Sequence, residues 1–341
     1  MSSDLRRLPK DSLVLVTGAN GYIASHVVDV LLKEGYRVRG TIRNEKPWLE
    51  DFFASKYGQG KFETVILQDM ADSPAFDAAA KDTAGIVHVA SDLSFDTDVE
   101  KVVSTTVAGT MNCLEAAAQN PSIKSVVYTS SSTAALIPEP DKQGVVVEKD
   151  TWNEKAVQAA RSSQTPAARL PYTIYAASKT EAERALWRWT EEHRPSFAVN
   201  SVVPSMNTGR ILHPEINGST MKFVRALLKG DKSPIERTPP QWFVDVRDCA
   251  LLHVAALLDP GVQSQRLFAF AESLNWTDVV NILRKHRPGN SQIPDPPENE
   301  GRDLSVVGPA VEAEALLRSF LGVSGWTSID DSIRDGIEGL E

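Results

Sequence analysis

The stretch from Leu13 to Val28, LVLVTGANGYIASHVV, decides how the rest of the chain is read. Leu13 to Val16 reads as a buried strand. Ile23, Val27, Val28, Leu31 and Leu32 then recur at helical spacing until Gly35 ends the helix. A buried strand that runs through Gly18 and Gly21 straight into an amphipathic helix suits a pyrophosphate. The glycines let the backbone close on the anion, the first helical amides and the helix dipole face it, and the small Ala24 lets helix and strand pack closely. An ordinary tight turn uses glycines in the same way, so the turn alone leaves both readings open.

Moving outward, the same rhythm repeats. Arg37–Ile42, Phe62–Leu67, Gly85–Val89, Ser125–Thr129 and Phe197–Val203 read as strands with helical segments between them. Strands alternating with helices predict right-handed crossovers and a parallel sheet. The expected fold is α/β, a doubly wound parallel sheet of the dinucleotide-binding type with a smaller C-terminal substrate-binding lobe. Residues 1–203 are assigned mainly to the first and 204–341 mainly to the second, with part of 240–270 returning to the sheet. The prolines and charges between Ile137 and Pro171 predict an excursion over the sheet's carboxyl edge.

Composition narrows the function classes. A chain of 341 residues is long enough for a large body, a subordinate lobe and a substantial pocket. The net charge of −9, with no block of like charge, argues against a nucleic-acid partner. Cys113 and Cys249 lie far apart in the apolar contexts MNCLEAAA and DCALLHVAALL, and are read as buried, reduced thiols of a cytoplasmic chain. MSSDLRRLPKDS lacks the apolar core of a signal peptide, and no apolar run approaches the ~18 residues of a membrane span, so neither export nor insertion is expected.

The end of the second strand reads RVRGTIRNEK. An NAD site usually places an acid there, against the ribose hydroxyls. Arg39 and Arg43, with Lys46 close behind, fit a ribose that carries a 2′-phosphate; a solvated strand end beside Glu45 is the plainer reading. In VILQDMAD, Asp69 is placed either as a partner for an adenine amino group, with Met70 against the ring, or as a helix cap.

The chemistry is concentrated in IYAASKTEAERALWRW, a strong helix former in which Tyr175 and Lys179 share one face. A nearby ammonium favours phenolate, so Lys179 is expected to lower the phenol's pKa and make Tyr175 a tunable proton donor. VVYTSSSTAAL delivers Ser130, Ser131 and Ser132 to the same carboxyl edge, where one hydroxyl is placed to hold a carbonyl oxygen while Tyr175 protonates it. His88, on an apolar strand, reads as a packed histidine. The other histidines have no partners at metal-ligand spacing, and no metal is expected.

TGANGYIA, HVAS at His88–Ser91, VAGTMNCLEAA, YTSSS, YAASK and WFVDVRDCA occur in order from Gly18 to Ala250. Together they make the chain resemble the extended short-chain dehydrogenases/reductases, whose fold is the Rossmann type. TGANGYIASHVV, Arg43 and TSSSTAALIPEP bring it nearest the dihydroflavonol-reductase-like branch, with its fungal NADPH-dependent aldehyde and ketone reductases. The resemblance implies a catalytic Ser131, Tyr175 and Lys179, with Lys179 also bonding the nicotinamide ribose. It implies NADPH/NADP+ held by Gly18, Asn20, Gly21, Tyr22, Ile23, Arg43, Lys46, Asp69, Met70, Val89, Ala90, Ser91, Tyr175, Lys179, Pro204 and Ser205. A small carbonyl substrate would lie against Phe95, Ser131, Ile137, Tyr175, Met206, Trp242 and Phe243.

One departure bears on the reaction. Sugar-nucleotide epimerases of the family carry Asn where this chain has Thr106, which favours a reductase. An NAD-dependent epimerase or dehydratase, and a dinucleotide-sensing regulator without chemistry, are the competing readings. A monomer or homodimer, free of membranes, is expected.

Overall fold

All four residues of the strand Leu13–Val16 are buried, and this strand is the fifth of seven in a parallel sheet. In chain order the sheet's strands are Leu13–Val16, Arg37–Ile42, Phe62–Ile66, Gly85–His88, Ser125–Thr129, Ala198–Pro204 and Arg266–Ala269. In space they run seventh, sixth, fifth, fourth, first, second, third. This computed structural model describes residues 6–340. The third and fourth strands end one residue earlier than the sequence pattern predicts, at Ile66 and His88, and the sixth starts and ends one residue later.

The apolar runs are continuous because both faces of the sheet are covered. Val14 and Val16 point into one core, with the helices Tyr22–Lys33, Pro47–Tyr57 and Val246–Leu258. Leu15 points into the other, with the helices Ser73–Ala80, Val99–Gln119 and Leu170–His193. Every strand therefore ends at one carboxyl edge, with the helix N-termini around it. That edge is where ligands bind in sheets of this kind.

Beyond Pro204 the chain builds a second layer over the edge. Met206–Thr208, Gln241–Asp245 and Glu272–Leu274 form a three-stranded sheet with Gln241–Asp245 in the middle. Its core joins Met206, Met221, Phe243, Trp276 and Ile333. Between these pieces the chain returns to the large sheet: Val246–Leu258 packs on Tyr22–Lys33, and Arg266–Ala269 becomes the edge strand beside the sixth. Between Ile137 and Pro171 lie the short strand Val146–Val147, paired with Val306–Val307, and the helix Glu154–Ala160. Both cysteines are buried free thiols. Among the described residues no helix is long and apolar enough to cross a membrane.

Candidate active site

The turn after the first strand is built around Thr17. Its buried hydroxyl accepts from the amides of Val89 and Ala90, at 2.9 and 3.0 Å. With both lone pairs used, its proton goes to His88 Nδ1, 2.9 Å away. Burial, helped by the Lys179 charge, holds the His88 pKa at about 3. His88 is thus a neutral structural residue packed edge-on against Phe76, and it fixes the first and fourth strand ends together.

Gly18 has φ +67°, and a side chain there would start 3.3 Å from the Ala90 Cβ. Gly21 needs its hydrogen for space alone: its φ is −80°, and a Cβ would lie 3.0 Å from the Gly18 carbonyl oxygen. The Gly21 amide bonds that carbonyl at 2.8 Å. The next amides, of Tyr22 and Ile23, have no acceptor among the described residues, and no side chain caps the helix. Two helical amides left open beside a glycine turn are a seat for an anion.

Two further buried atoms lack partners at this edge: Ser91 Oγ, after the fourth strand, and Asn207 Oδ1, after Pro204 and Ser205. Buried polar groups are nearly always bonded, so both fit the polar atoms of a dinucleotide laid across the edge. Asn207 carried no signal in the sequence, since it belongs to no motif and its amide oxygen is orphaned only by the fold. Asn20 is half-buried in the turn. Arg43 is exposed, Lys46 is partly so, and neither side chain has a hydrogen bond or ion pair among the described residues, which leaves both free for a phosphate.

Several expectations are corrected here. Arg39 is not available to a 2′-phosphate: it sits early in its strand, where its guanidinium bonds Glu63 at 2.7 Å and the carbonyls of Ala79 and Lys81. Asp69 is not the cap of the following helix, which is Asp72; its carboxylate accepts from the Ala71 amide instead. Met70 packs against Gly109, where a Cβ would come within 2.9 Å of it. The Tyr22 side chain points into the second lobe and donates to the Gly209 carbonyl at 2.7 Å, so only its backbone faces the turn. Met206 and Phe243 are core residues of that lobe, because they are paired neighbours whose side chains share its buried face. Trp242, on the opposite face of the same strand, borders a small cavity, and Ile137 is replaced there by its neighbours Leu136 and Pro138.

At the other end of the edge stands the helix Leu170–His193. The half-buried Tyr175 ring lies 5.5 Å from Phe95 and 6.3 Å from Tyr172. Burial raises the phenol's pKa, and the Ser131 hydroxyl acting on it pulls the other way. The expected lowering by Lys179 is not what governs it. Lys179 is buried and turned toward the fifth strand, with Nζ 2.6 Å from the Thr129 carbonyl, 3.2 Å from the Tyr128 hydroxyl and 4.7 Å from the centre of the Tyr128 ring. Burial brings the Lys179 pKa down to about 7, against the opposing attraction of Glu183.

The three serines separate cleanly. Ser130 donates to Glu183 Oε2 at 2.6 Å and is tied below the site. Ser131 accepts from the amide and hydroxyl of Thr133, at 3.2 and 2.9 Å, and of the three serines it is the one that acts on the Tyr175 phenol, pulling its pKa down. Ser132 turns to the cavity by Trp242. Glu183, one turn beyond Lys179, escaped the sequence reading. It is fully buried, takes a second hydroxyl from Ser201 at 2.6 Å, and pairs with Arg266 at 3.0 and 3.1 Å. Arg266 also holds the Thr151 carbonyl at 2.6 Å and lies over the Trp152 ring. Its spacing after Tyr175 and Lys179 on one helix was the available signal; its partners come from three distant strands. Among the described residues no group of three or more His, Cys, Asp or Glu is placed to hold a metal.

A doubly wound parallel sheet with an open glycine turn at one strand end, and a Ser-Tyr-Lys set at another, defines a dinucleotide-dependent α/β protein of the short-chain type. The chain belongs to the NAD dependent epimerase/dehydratase family, the extended short-chain dehydrogenases/reductases, whose family model matches residues 14–268. It is 45% identical over 333 residues to the ketoreductase adrE of Penicillium rubens, covering 97% of each chain. It is 40% identical to aldehyde reductase 2 of Sporidiobolus salmonicolor, covering 96% of each. Among solved structures it resembles yeast methylglyoxal/isovaleraldehyde reductase Gre2 complexed with NADPH, with a TM-score of 0.76, 27% identity, and 95% of this chain and 96% of that one covered. Its homologues are thus ketoreductases and aldehyde reductases.

Proposed function

We propose that this chain reduces a ketone or aldehyde to the alcohol with NADPH, with Tyr175 as the general acid. The observation that carries the reading is the placement of the half-buried Tyr175, beside Phe95 and Tyr172, at the same sheet edge as Ser131 and the open glycine turn. When bound, NADPH supplies the hydride to the carbonyl carbon. Ser131 donates to the carbonyl oxygen and orients it, and Tyr175 gives that oxygen the proton that completes the alcohol. A phenol whose pKa is raised stays protonated at neutral pH and suits a donor. Lys179, one helical turn beyond Tyr175, is assigned to the nicotinamide ribose.

The open amides of Tyr22 and Ile23 are assigned to the pyrophosphate, and Arg43 with Lys46 to the 2′-phosphate, so that NADPH is preferred over NADH. Two buried reduced thiols fit a cytoplasmic enzyme, acting as a monomer or homodimer. NADPH oxidation by the purified protein across aldehydes, ketones, keto esters and diketones tests the reading. Consumption of NADPH with formation of the matching alcohol supports it; tight NADPH binding with no turnover on any carbonyl favours the regulator.

A further inference from the structure

Beside the reaction site lies a cavity of about 10 Å³ bordered by Ser132, Ser205, Gln241, Trp242, Phe270 and Asp303. That is room for one water-sized group. Two of its borders tie it to the reaction: Ser132 follows Ser131, and Ser205 follows the end of the sixth strand. Its donors are mostly spent elsewhere. The Ser205 hydroxyl donates to the Ala269 carbonyl at 3.0 Å, the Trp242 indole to Ser305 Oγ at 3.0 Å, and the Gln241 amide to the Pro239 carbonyl at 3.3 Å. What remains toward the cavity is the Asp303 carboxylate as acceptor and the Ser132 hydroxyl as donor.

The stronger of the two is Asp303. Its side chain has no ion-pair partner among the described residues, although the residue is only 4% exposed. One carboxylate oxygen takes the Ser305 amide at 2.9 Å. The other carboxylate oxygen has no hydrogen-bond partner among the described residues and is not sealed in, so a donor from a guest molecule can reach it across the cavity border. An anion there would meet like charge. Leu136, Pro138, Trp242 and Phe270 make the surrounding wall apolar.

Resting on the reductase reading, we propose that Asp303 and its cavity form a hydroxyl-recognition subsite. The substrates are then apolar ketones or aldehydes that carry a hydroxyl remote from the carbonyl, and keto acids are excluded. The guest hydroxyl donates to Asp303 and accepts from Ser132, whose own hydroxyl has no partner among the described residues.

The test uses hydroxy ketones of graded chain length, each beside its methyl ether and deoxy analogue, together with a keto acid of matching size. Reduction is followed with NADPH, and binding to the NADP+-loaded protein by calorimetry. At the chain length that fits, the hydroxy compound should exceed both analogues about 10- to 100-fold in kcat/KM and in affinity, the range of a hydrogen bond to a charged group. Asp303→Asn keeps an acceptor for the Ser305 amide, so the loop should hold, with an unchanged thermal midpoint as the check. In D303N the hydroxyl preference should shrink about tenfold and the keto acid should gain. Equal kcat/KM and equal affinity for hydroxy, ether and deoxy compounds in the parent protein overturn the subsite, whatever the variant does. Should no carbonyl be reduced, the reductase reading falls, and the calorimetric preference for the hydroxyl still decides the subsite.

Discussion

The two ends of the sheet's carboxyl edge are built on opposite principles. At the first and second strands, polar groups have no partners among the described residues: the amides of Tyr22 and Ile23, and the side chains of Arg43 and Lys46. At the fifth, sixth and seventh strands the two charged side chains on the buried face of the helix Leu170–His193 are held: Lys179 by Thr129 and Tyr128, and Glu183 by Ser130, Ser201 and Arg266. One end is an open receptor for charge brought by a ligand. The other is closed, so that the Tyr175 phenol stands in a fixed place with its pKa raised by burial. A cofactor with a phosphate-rich end and a reactive end matches that division.

The comparison is broken most sharply at Tyr175. Tyr175→Phe removes one hydroxyl from the closed end and should lower turnover by about 10²–10⁴, the share expected of general-acid assistance. NADPH affinity, read by fluorescence titration, should hardly change, since the open end is intact. Retained turnover would mean that the closed end does not do the proton chemistry.

Glu183→Leu tests whether the closed end is held by its buried pair. Leaving Arg266 buried without its carboxylate should destabilise the chain by about 3–5 kcal/mol in denaturant unfolding. The double replacement Glu183→Leu with Arg266→Met should recover much of that loss, because the uncompensated charge is gone. A single variant within about 0.5 kcal/mol of the parent would show that the network is dispensable.

Arg43→Ala sharpens the contrast from the other side. With no partner among the described residues to lose, it should leave stability unchanged and raise the KM for NADPH about tenfold or more, while the KM for NADH stays put. Equal changes for both cofactors would remove Arg43 from the 2′-phosphate.

The smallest effect is the response to acid. Burial holds the pKa values of His88 and His253 at about 3 and about 4, below the ordinary 6.5, so between pH 6.5 and 4 the unfolded chain takes protons that the folded one refuses. Their contribution to stability is therefore lost as pH falls. Asp248, raised by burial from 3.8 to about 6, acts in the opposite sense over that range. His26, also lowered by burial, adds to the histidine side, so the chain should lose stability overall as the pH falls from 6 to 4. Unfolding free energies measured across that interval check it, and His253→Gln should flatten the slope.

Periodicity alone carried the sheet. Val14 and Val16 face one core and Leu15 the other, so a run of four apolar residues already announced a strand covered on both sides. That Gly18 and Gly21 share one turn, and Tyr175 and Lys179 one helix, was legible for the same reason: chain connectivity sets the geometry over so short a spacing. Ser131 came from the family resemblance, and the fold then separated it from Ser130 and Ser132 by what each hydroxyl touches.

What only the tertiary structure decided involves partners far apart in the chain. Arg39 and Arg43 look alike in sequence, yet the register with Glu63 ties one down and leaves the other open. Met206 and Phe243 look like pocket residues until strand pairing puts them in the lobe core beside Trp276. Asp303 reads as an ordinary loop acid, and only the packed structure buries it at the border of the small cavity by Trp242. Tyr175's acidity turned on burial rather than on its helical neighbour, because Lys179 finds a carbonyl on the adjacent strand. Local spacing is encoded by covalent geometry, whereas burial and charge pairing depend on which distant surfaces close over a group, and those are fixed only when the whole chain packs.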